Sequence, residues 1–421
     1  QSCMQRMDAL ATTEEQRLRA LLCRQGWDAD RSQTDALELG LAAIDRALVL
    51  GQPRIAFEFG RATAWRLALR GEEALAVQTL QAHQEWVMSH GRPAERGDFH
   101  LAMAGVLGFV DHLGPAVEAS RQAIVELRAA ALWARLLPAL SNLGLLLHWS
   151  GQLPEARDVL MEAQQLRDRM HGQGSGLVID LNLGAVQRDM GDYLAGDQTF
   201  AAALEQLRTR ADGDGEMRTD CVLAENHHAH LWLSLGQVER ALDALITDDK
   251  TIAARFRARR VGLRLRAARM LGRSRSTLVN EAEAMLASID SPFHRSLLAL
   301  EVARSLPGER ALAACERVLL ERGTLGRPGL LLHAATAAAQ ASMVLGDVDR
   351  AWRHLDGVQA LLASCAPFDI DRADLWLMAA QVLQATGEAA GARSLIQRGA
   401  QWLHATSRQM PDAWRDGFLR R

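Results

Sequence analysis

Glycines followed five places later by a small residue recur along this chain as Gly71/Ala76, Gly114/Ala119, Gly151/Ala156, Gly191/Gly196, Gly236/Ala241, Gly346/Ala351 and Gly387/Ala392. Gly272/Thr277 and Gly308/Ala313 fill the gap between Gly236 and Gly346, and the period averages about forty residues, the range of helical solenoids. At such a turn the glycine supplies the left-handed backbone that ends one helix, and the small residue lets the next helix pack closely against it. Thr13 to Gln25 and Ser32 to Leu50 read as one more helix pair ahead of Gly71. The expectation is an all-α, right-handed superhelical solenoid of about ten helix pairs, a single array over residues 1–421 in which neighbouring pairs share a core that none could form alone.

Composition agrees. Hydrophobic residues make up 48% of the 421 and aromatics only 5%, and the leucine, alanine and arginine content favours helix over strand. Segments 171–176 and 211–215, rich in glycine and polar residues, read as loops between repeats because the repeat phase continues through both.

Two copies carry a family likeness. Asn142-Leu143-Gly144 lies seven residues ahead of Gly151, with Glu155-Ala156 after it, and Asn182-Leu183-Gly184 precedes Gly191-Asp192-Tyr193. These resemble tetratricopeptide repeats; elsewhere the helix glycine is replaced by Ala64, Leu107, Ala229, Leu265, Ala339 and Ala380. The long repeats, and the stretch from Trp402 through Pro411-Asp412-Ala413-Trp414 to Arg421, resemble the sensor region of large bacterial ATPase-coupled transcription regulators of the maltose-regulator type. That resemblance implies a ligand-sensing solenoid whose nucleotide-binding and DNA-binding modules lie outside this sequence. The chain opens at Gln1, not at a methionine, which suggests a piece of something longer.

In tetratricopeptide solenoids, by the same resemblance, the residues 13, 10, 6 and 3 places before the turn glycine line the concave surface; those offsets share one helix face. Before Gly272 the stripe reads Arg259, Gly262, Arg266, Arg269; before Gly236, Leu223, Asn226, His230, Leu233; before Gly346, His333, Thr336, Gln340, Met343. Arg188 ends the stripe before Gly191, and Arg295 begins the one before Gly308. The segment from Arg255 to Arg275 holds nine arginines, at 255, 257, 259, 260, 264, 266, 269, 273 and 275, and no acid. A guanidinium fork suits carboxylates and phosphates. The cluster is therefore either an anion site or a helix whose arginines pair with acids on neighbouring repeats, and the sequence leaves both open.

Catalysis finds no support in the motifs. There is no G-x-S-x-G, no H-E-x-x-H and no dinucleotide fingerprint, and Lys250, in a turn at 247–250, is the only lysine among 48 basic residues, which leaves no P-loop or Schiff-base lysine. Glu225-Asn226-His227-His228-Ala229-His230 puts possible metal ligands three apart, but no second ligand pair accompanies them, so no metal and no cofactor are expected. Tryptophans such as Trp65, Trp149, Trp232, Trp352 and Trp376 read as inter-repeat packing. Cys3, Cys23, Cys221, Cys315 and Cys365 are odd in number and widely spaced, which suits reduced thiols in a cytoplasmic protein. No run reaches a membrane span's length, and the N-terminus has no signal-peptide profile.

The functional expectation is a non-catalytic binding solenoid that takes an anionic peptide, metabolite or protein partner on its concave face. Arg188, Asn226, His230, Arg259, Arg266, Arg269, His333, Thr336 and Gln340 would carry that contact. A free-standing scaffold for protein assembly is the alternative. Nucleic-acid binding through the Arg255–Arg275 helix is disfavoured by the net charge of −3. Self-association through solenoid ends is compatible with all of these.

Overall fold

The computed structural model describes residues 10–27, 33–110, 112–170, 176–210, 215–245, 252–289, 291–321, 324 and 326–420. Lys250, Cys3, the turn at 247–250 and the loops at 171–175 and 211–214 lie outside them. Among the described residues there are helices and turns and no strand. The fold is an all-α repeat. The chain divides into two compact units, 1–142 and 143–421, and the division falls inside the helix Trp133–Trp149.

The turns share one closure. The residue after the left-handed position donates its N–H to the carbonyl five places back, as in Glu72 to Leu67, Gln152 to Leu147, Asp192 to Gln187, Gln237 to Trp232 and Asp347 to Ser342. Gly71, Gly151, Gly191, Gly236, Gly272, Gly346 and Gly387 all hold positive φ, as their spacing predicts.

Two assignments shift. Gly114 lies within the helix Leu113–Ala129, where the closing bond runs from His112 to Leu107, so the small residue that packs inward is Ala116 and not Ala119. Gly308 has φ +52 but begins the helix Gly308–Leu320 and closes no such turn, and Ala313 behind it is exposed, as is Thr277. Two further turns stand outside the expected series: Gly51, which has the same signature with buried Ala56, between Gln33–Val49 and Pro53–Leu69, and Ala131 at φ +53 between Leu113–Ala129 and Trp133–Trp149. Gln33–Val49 consequently turns back on Pro53–Leu69.

In the first unit the core is built from Leu37, Phe57, Leu67, Leu80, Phe99, Met103 and Val106, all presented at helical spacing. A second cluster around Leu18, Ile44, Ile55 and Phe59 fills the pairs before it.

In the second unit the tetratricopeptide-like close approach is present where the sequence marks it: a Cβ on Gly184 would meet the Phe200 ring at 2.6 Å, and one on Gly144 would run into Leu160. This unit also closes on itself. The Gly191 turn abuts Trp402 and Thr406, the Gly236 turn abuts the Gly417 backbone, and Met410 and Phe418 join the core of Leu181, Tyr193, Phe200 and Leu231. The Gly151 turn meets Cys365 and Ala366 in the same way. At these three positions the absent side chain serves the turn and the contact together.

Candidate functional site

The helix Ala254–Met270 presents its arginines on two sides, and each side finds acids from other elements. Arg260 pairs with Glu225 at 2.6 Å and Arg264 with Glu281 at 3.8 Å, and Arg273, past the end of the helix, with Glu239 at 2.9 Å. On the opposite side Arg259, Arg266 and Arg269 face the interior of the second unit. There Arg259 and Arg266 meet a non-helical stretch of the same chain, residues 365–371, that links the helices Gln359–Ser364 and Arg372–Ala385.

This stretch reads Cys365-Ala366-Pro367-Phe368-Asp369-Ile370-Asp371, and Ala366, Asp369, Ile370 and Asp371 are buried. Pro367 bars helix, and the backbone bends through 368–370, where Asp369 holds φ +65. Asp369 receives both Nη atoms of Arg259, Nη1 at 2.7 Å on Oδ2 and Nη2 on Oδ1. Arg266 donates to the Asp369 carbonyl at 3.2 Å and approaches the Asp371 carboxylate at 3.5 Å, while Asp371 accepts the Tyr193 hydroxyl at 2.5 Å. Phe368 places its ring 5.3 Å from His148 and 5.4 Å from Phe293. Its N–H donates to the Gly329 carbonyl at 3.1 Å, and a Cβ on Gly329 would stand 2.6 Å from the Ala366 oxygen. The segment therefore lies flush on the helix Pro328–Val344 only because that residue has no side chain.

His230 sits between Arg259 on Nδ1, at 2.9 Å, and Asp369 with Arg266 on Nε2. Burial first, and the charge of Arg188 next, push its pKa well below the usual histidine value, so the ring is neutral. A neutral imidazole has one acceptor nitrogen and one N–H, so it accepts from only one of the two guanidinium groups: with Nε2 donating to Asp369, Nδ1 accepts from Arg259, and Arg266 is held by the Asp369 carbonyl instead. Burial works against ionisation of Asp369, but the Arg259 guanidinium, with Arg266 behind it, holds it well below the ordinary carboxylate range.

A second ionic group lies along the same face. Arg269 donates to Glu301 at 2.8 Å and to the Ser305 hydroxyl at 3.3 Å, and Arg304 approaches Glu301 at 3.9 Å and His333 at 3.0 Å. His333 Nδ1 reaches the Phe368 carbonyl at 3.1 Å. Burial, then Arg304, lowers His333 to about 3. Burial and the adjacent Arg269 bring Arg304 down to about 10, still charged at neutral pH, and Glu301 stays below its usual value because Arg269 and Arg304 outweigh its burial.

The predicted residues divide accordingly. Arg259, Arg266, Arg269, His230 and His333 converge along one surface around residues 368–371. Arg188 is buried beside it, bonded through Nε to Asp189 at 2.7 Å, with its Nη1 unpartnered. Asn226 faces elsewhere, holding the Phe256 carbonyl and Arg260. The Thr336 hydroxyl is spent on Leu332 within its own helix, and Gln340 is exposed. Within the histidine run, His228 bonds Asp197 at 2.6 Å and His227 stacks on Phe200 at 5.7 Å, so with His230 the three rings have three separate partners. Among the described residues no group of three or more His, Cys, Asp or Glu side chains gathers as a metal site.

Several residues of this surface escaped the sequence reading: Asp369, Asp371 and Phe368 on the segment, His148 with Asp189 at 2.7 Å, and Glu301 and Arg304. The helix-stripe rule cannot reach a non-helical stretch. Its available signal was local, a proline followed by an aromatic and two alternate acids at Pro367 to Asp371, unlike any other linker in the chain.

No family model matches the chain, and no curated protein matches it. Among solved structures it is similar to a Rap protein complexed with competence and sporulation factor, at 12% identity and a TM-score of 0.44, covering 94% of this chain and 86% of that one. It is also similar to the apo form of RapI, at 9% identity and a TM-score of 0.40, over 84% of this chain and 99% of that one.

No described helix is long and apolar enough to cross a membrane.

Proposed function

We propose that this chain is a non-catalytic binding protein whose second unit grips an acidic peptide or an acidic segment of a partner protein. The observation that carries the reading is the pairing of Arg259 and Arg266 with the carboxylates and carbonyl of a non-helical segment at Asp369 and Asp371. A surface of guanidinium forks on rigid helices suits binding more than proton transfer. The neighbouring titratable groups agree: His333 is a weak base at about 3, and burial pushes the Cys315 and Cys365 thiols up to about 11, far from a reactive thiolate.

The finer reading, a sensor region of a bacterial regulator, draws on the resemblance of the C-terminal stretch. It is supported by where that stretch packs. The helix Asp412–Arg420 rests on the Gly236 turn through Gly417, and Tyr193, bonded to Asp371, also touches Phe418 at 5.6 Å. A ligand that shifts the segment at 368–371 would thereby bias the packing of the C-terminal helix. A scaffold would show no such shift.

The test is fluorescence anisotropy with a pool of labelled peptides bearing two or more carboxylates, against the same peptides amidated to Asn and Gln. Binding to the acidic set, lost in Arg259→Ala plus Arg266→Ala with the fold retained by circular dichroism, is expected. Unchanged affinity in that double variant places the site elsewhere. Hydrogen exchange at 412–420, slowed or quickened by the ligand, separates sensor from scaffold.

A further inference from the structure

We infer that residues 366–371 are a tethered competitor for this surface, and that its free ligand is a peptide with an aromatic residue followed by an acid, a spacer and a second acid. The inference rests on the acidic-peptide reading above and specifies both the ligand pattern and how access is controlled.

Four features of the segment support it. First, it makes the contacts expected of a bound peptide more than those of a linker: one ring in an aromatic pocket of His148 and Phe293, and main-chain bonds at Phe368 to Gly329 and His333. Its two carboxylates lie on separate partners, Arg259 and His230 for Asp369, Arg266 and Tyr193 for Asp371. Second, Asp369 holds φ +65, a left-handed conformation that carries a modest backbone cost even for aspartate, one of the residues that tolerate it, and its carboxylate is paired with Arg259. A segment under backbone strain gives up less when it leaves than an unstrained one would.

Third, the receiving face has cationic capacity to spare. Arg188, 4% exposed, leaves Nη1 without a hydrogen-bond partner, one buried donor for a ligand's acceptor. Fourth, the seating depends on Gly329, where the three atoms nearest a notional Cβ all belong to Ala366 and Phe368.

A tethered group competes at an effective concentration on the order of millimolar, so a free peptide making the same contacts binds the intact protein weakly. Weakening the tethered copy should raise the apparent affinity of the free one.

The experiment uses a fluorescein-labelled peptide copying residues 364–373, with Cys365→Ser, titrated into the full chain and into two variants. Gly329→Ala pushes the segment off its seat without touching an arginine; Asp369→Asn removes one of its anchors. Both are checked for helix content by circular dichroism. At least about tenfold tighter binding to each variant than to the parent is expected, with binding abolished when the peptide's two aspartates become asparagine. Equal affinity in the parent and a folded variant overturns the competitor, as does absence of binding to both.

If acidic peptides of other sequence bind the parent through Arg259 and Arg266, and neither variant alters that, the acidic-peptide reading stands and the competitor falls. If no acidic peptide binds parent or variants, both fall. If Gly329→Ala does not fold, Asp369→Asn decides alone.

Discussion

Arg259 and Asp369, 110 residues apart in the chain, form a two-point ion pair in the interior of the second unit, with His230 wedged against both. The pair ties the arginine helix to a proline-bent linker, so its energetics bear on fold and function together.

Removing one partner of such a pair strands the other charge in a poorly solvated place. Asp369→Ala should destabilise the second unit by about 3–5 kcal/mol, whereas replacing both groups, as in Arg259→Met with Asp369→Leu, should recover much of that loss. Urea unfolding of the two single variants and the double variant measures it. Additive losses in the cycle would mean that the two side chains do not interact.

Acid should weaken the protein before any carboxylate titrates. His230 and His333 have folded-state pKa values depressed below the unfolded value, the second at about 3. Between that value and about 6.5 the unfolded chain binds protons that the folded chain refuses, so stability rises with pH across the window and falls as pH drops through it. Asp369 and Glu301, depressed in the folded state, add a further loss as pH falls through the ordinary carboxylate range toward their lower folded values. Each depressed histidine contributes a slope of up to about 1.4 kcal/mol per pH unit below about 6.5. His333→Asn should flatten the melting temperature against pH between 6.5 and 5; an unchanged slope would show that His333 does not titrate on unfolding.

Two turn glycines with the same backbone need should differ in cost. Gly387 has φ +88 and open space around a notional Cβ, so Gly387→Ala should cost about 1 kcal/mol, the left-handed penalty alone. Gly236 has φ +70 and lies on the Gly417 carbonyl, so Gly236→Ala should cost more and loosen the helix Asp412–Arg420. Thermal melts rank the two, and limited proteolysis near residue 411 reports the loosening; equal costs would mean that the C-terminal contact contributes nothing.

The frame was legible because a helix turn has a local requirement. Gly151, Gly191 and Gly346 announce themselves through the backbone geometry they permit, and Ala156, Gly196 and Ala351 through the close packing that follows. The frame misread Gly114 because the closing bond there runs from His112 to Leu107 and the glycine falls inside the next helix, and it passed over Ala131 because the left-handed position there carries no glycine. Half of the candidate surface was legible too. The stripe rule brought Arg259, Arg266, Arg269, His230 and His333 to one face, since helical phase is a local property. It also selected Asn226, Thr336 and Gln340, whose positions on that face say nothing of which neighbour claims the side chain.

The sequence by itself determined helix, turn and phase, each set by interactions within a few residues. What faces the arginines was decided by tertiary structure alone, because Asp369 and Asp371 arrive from a linker more than a hundred residues away. No local periodicity encodes that meeting. It depends on how the helix pairs of the second unit stack, on the absent side chain of Gly329, and on the electrostatic need of buried guanidinium groups for carboxylates.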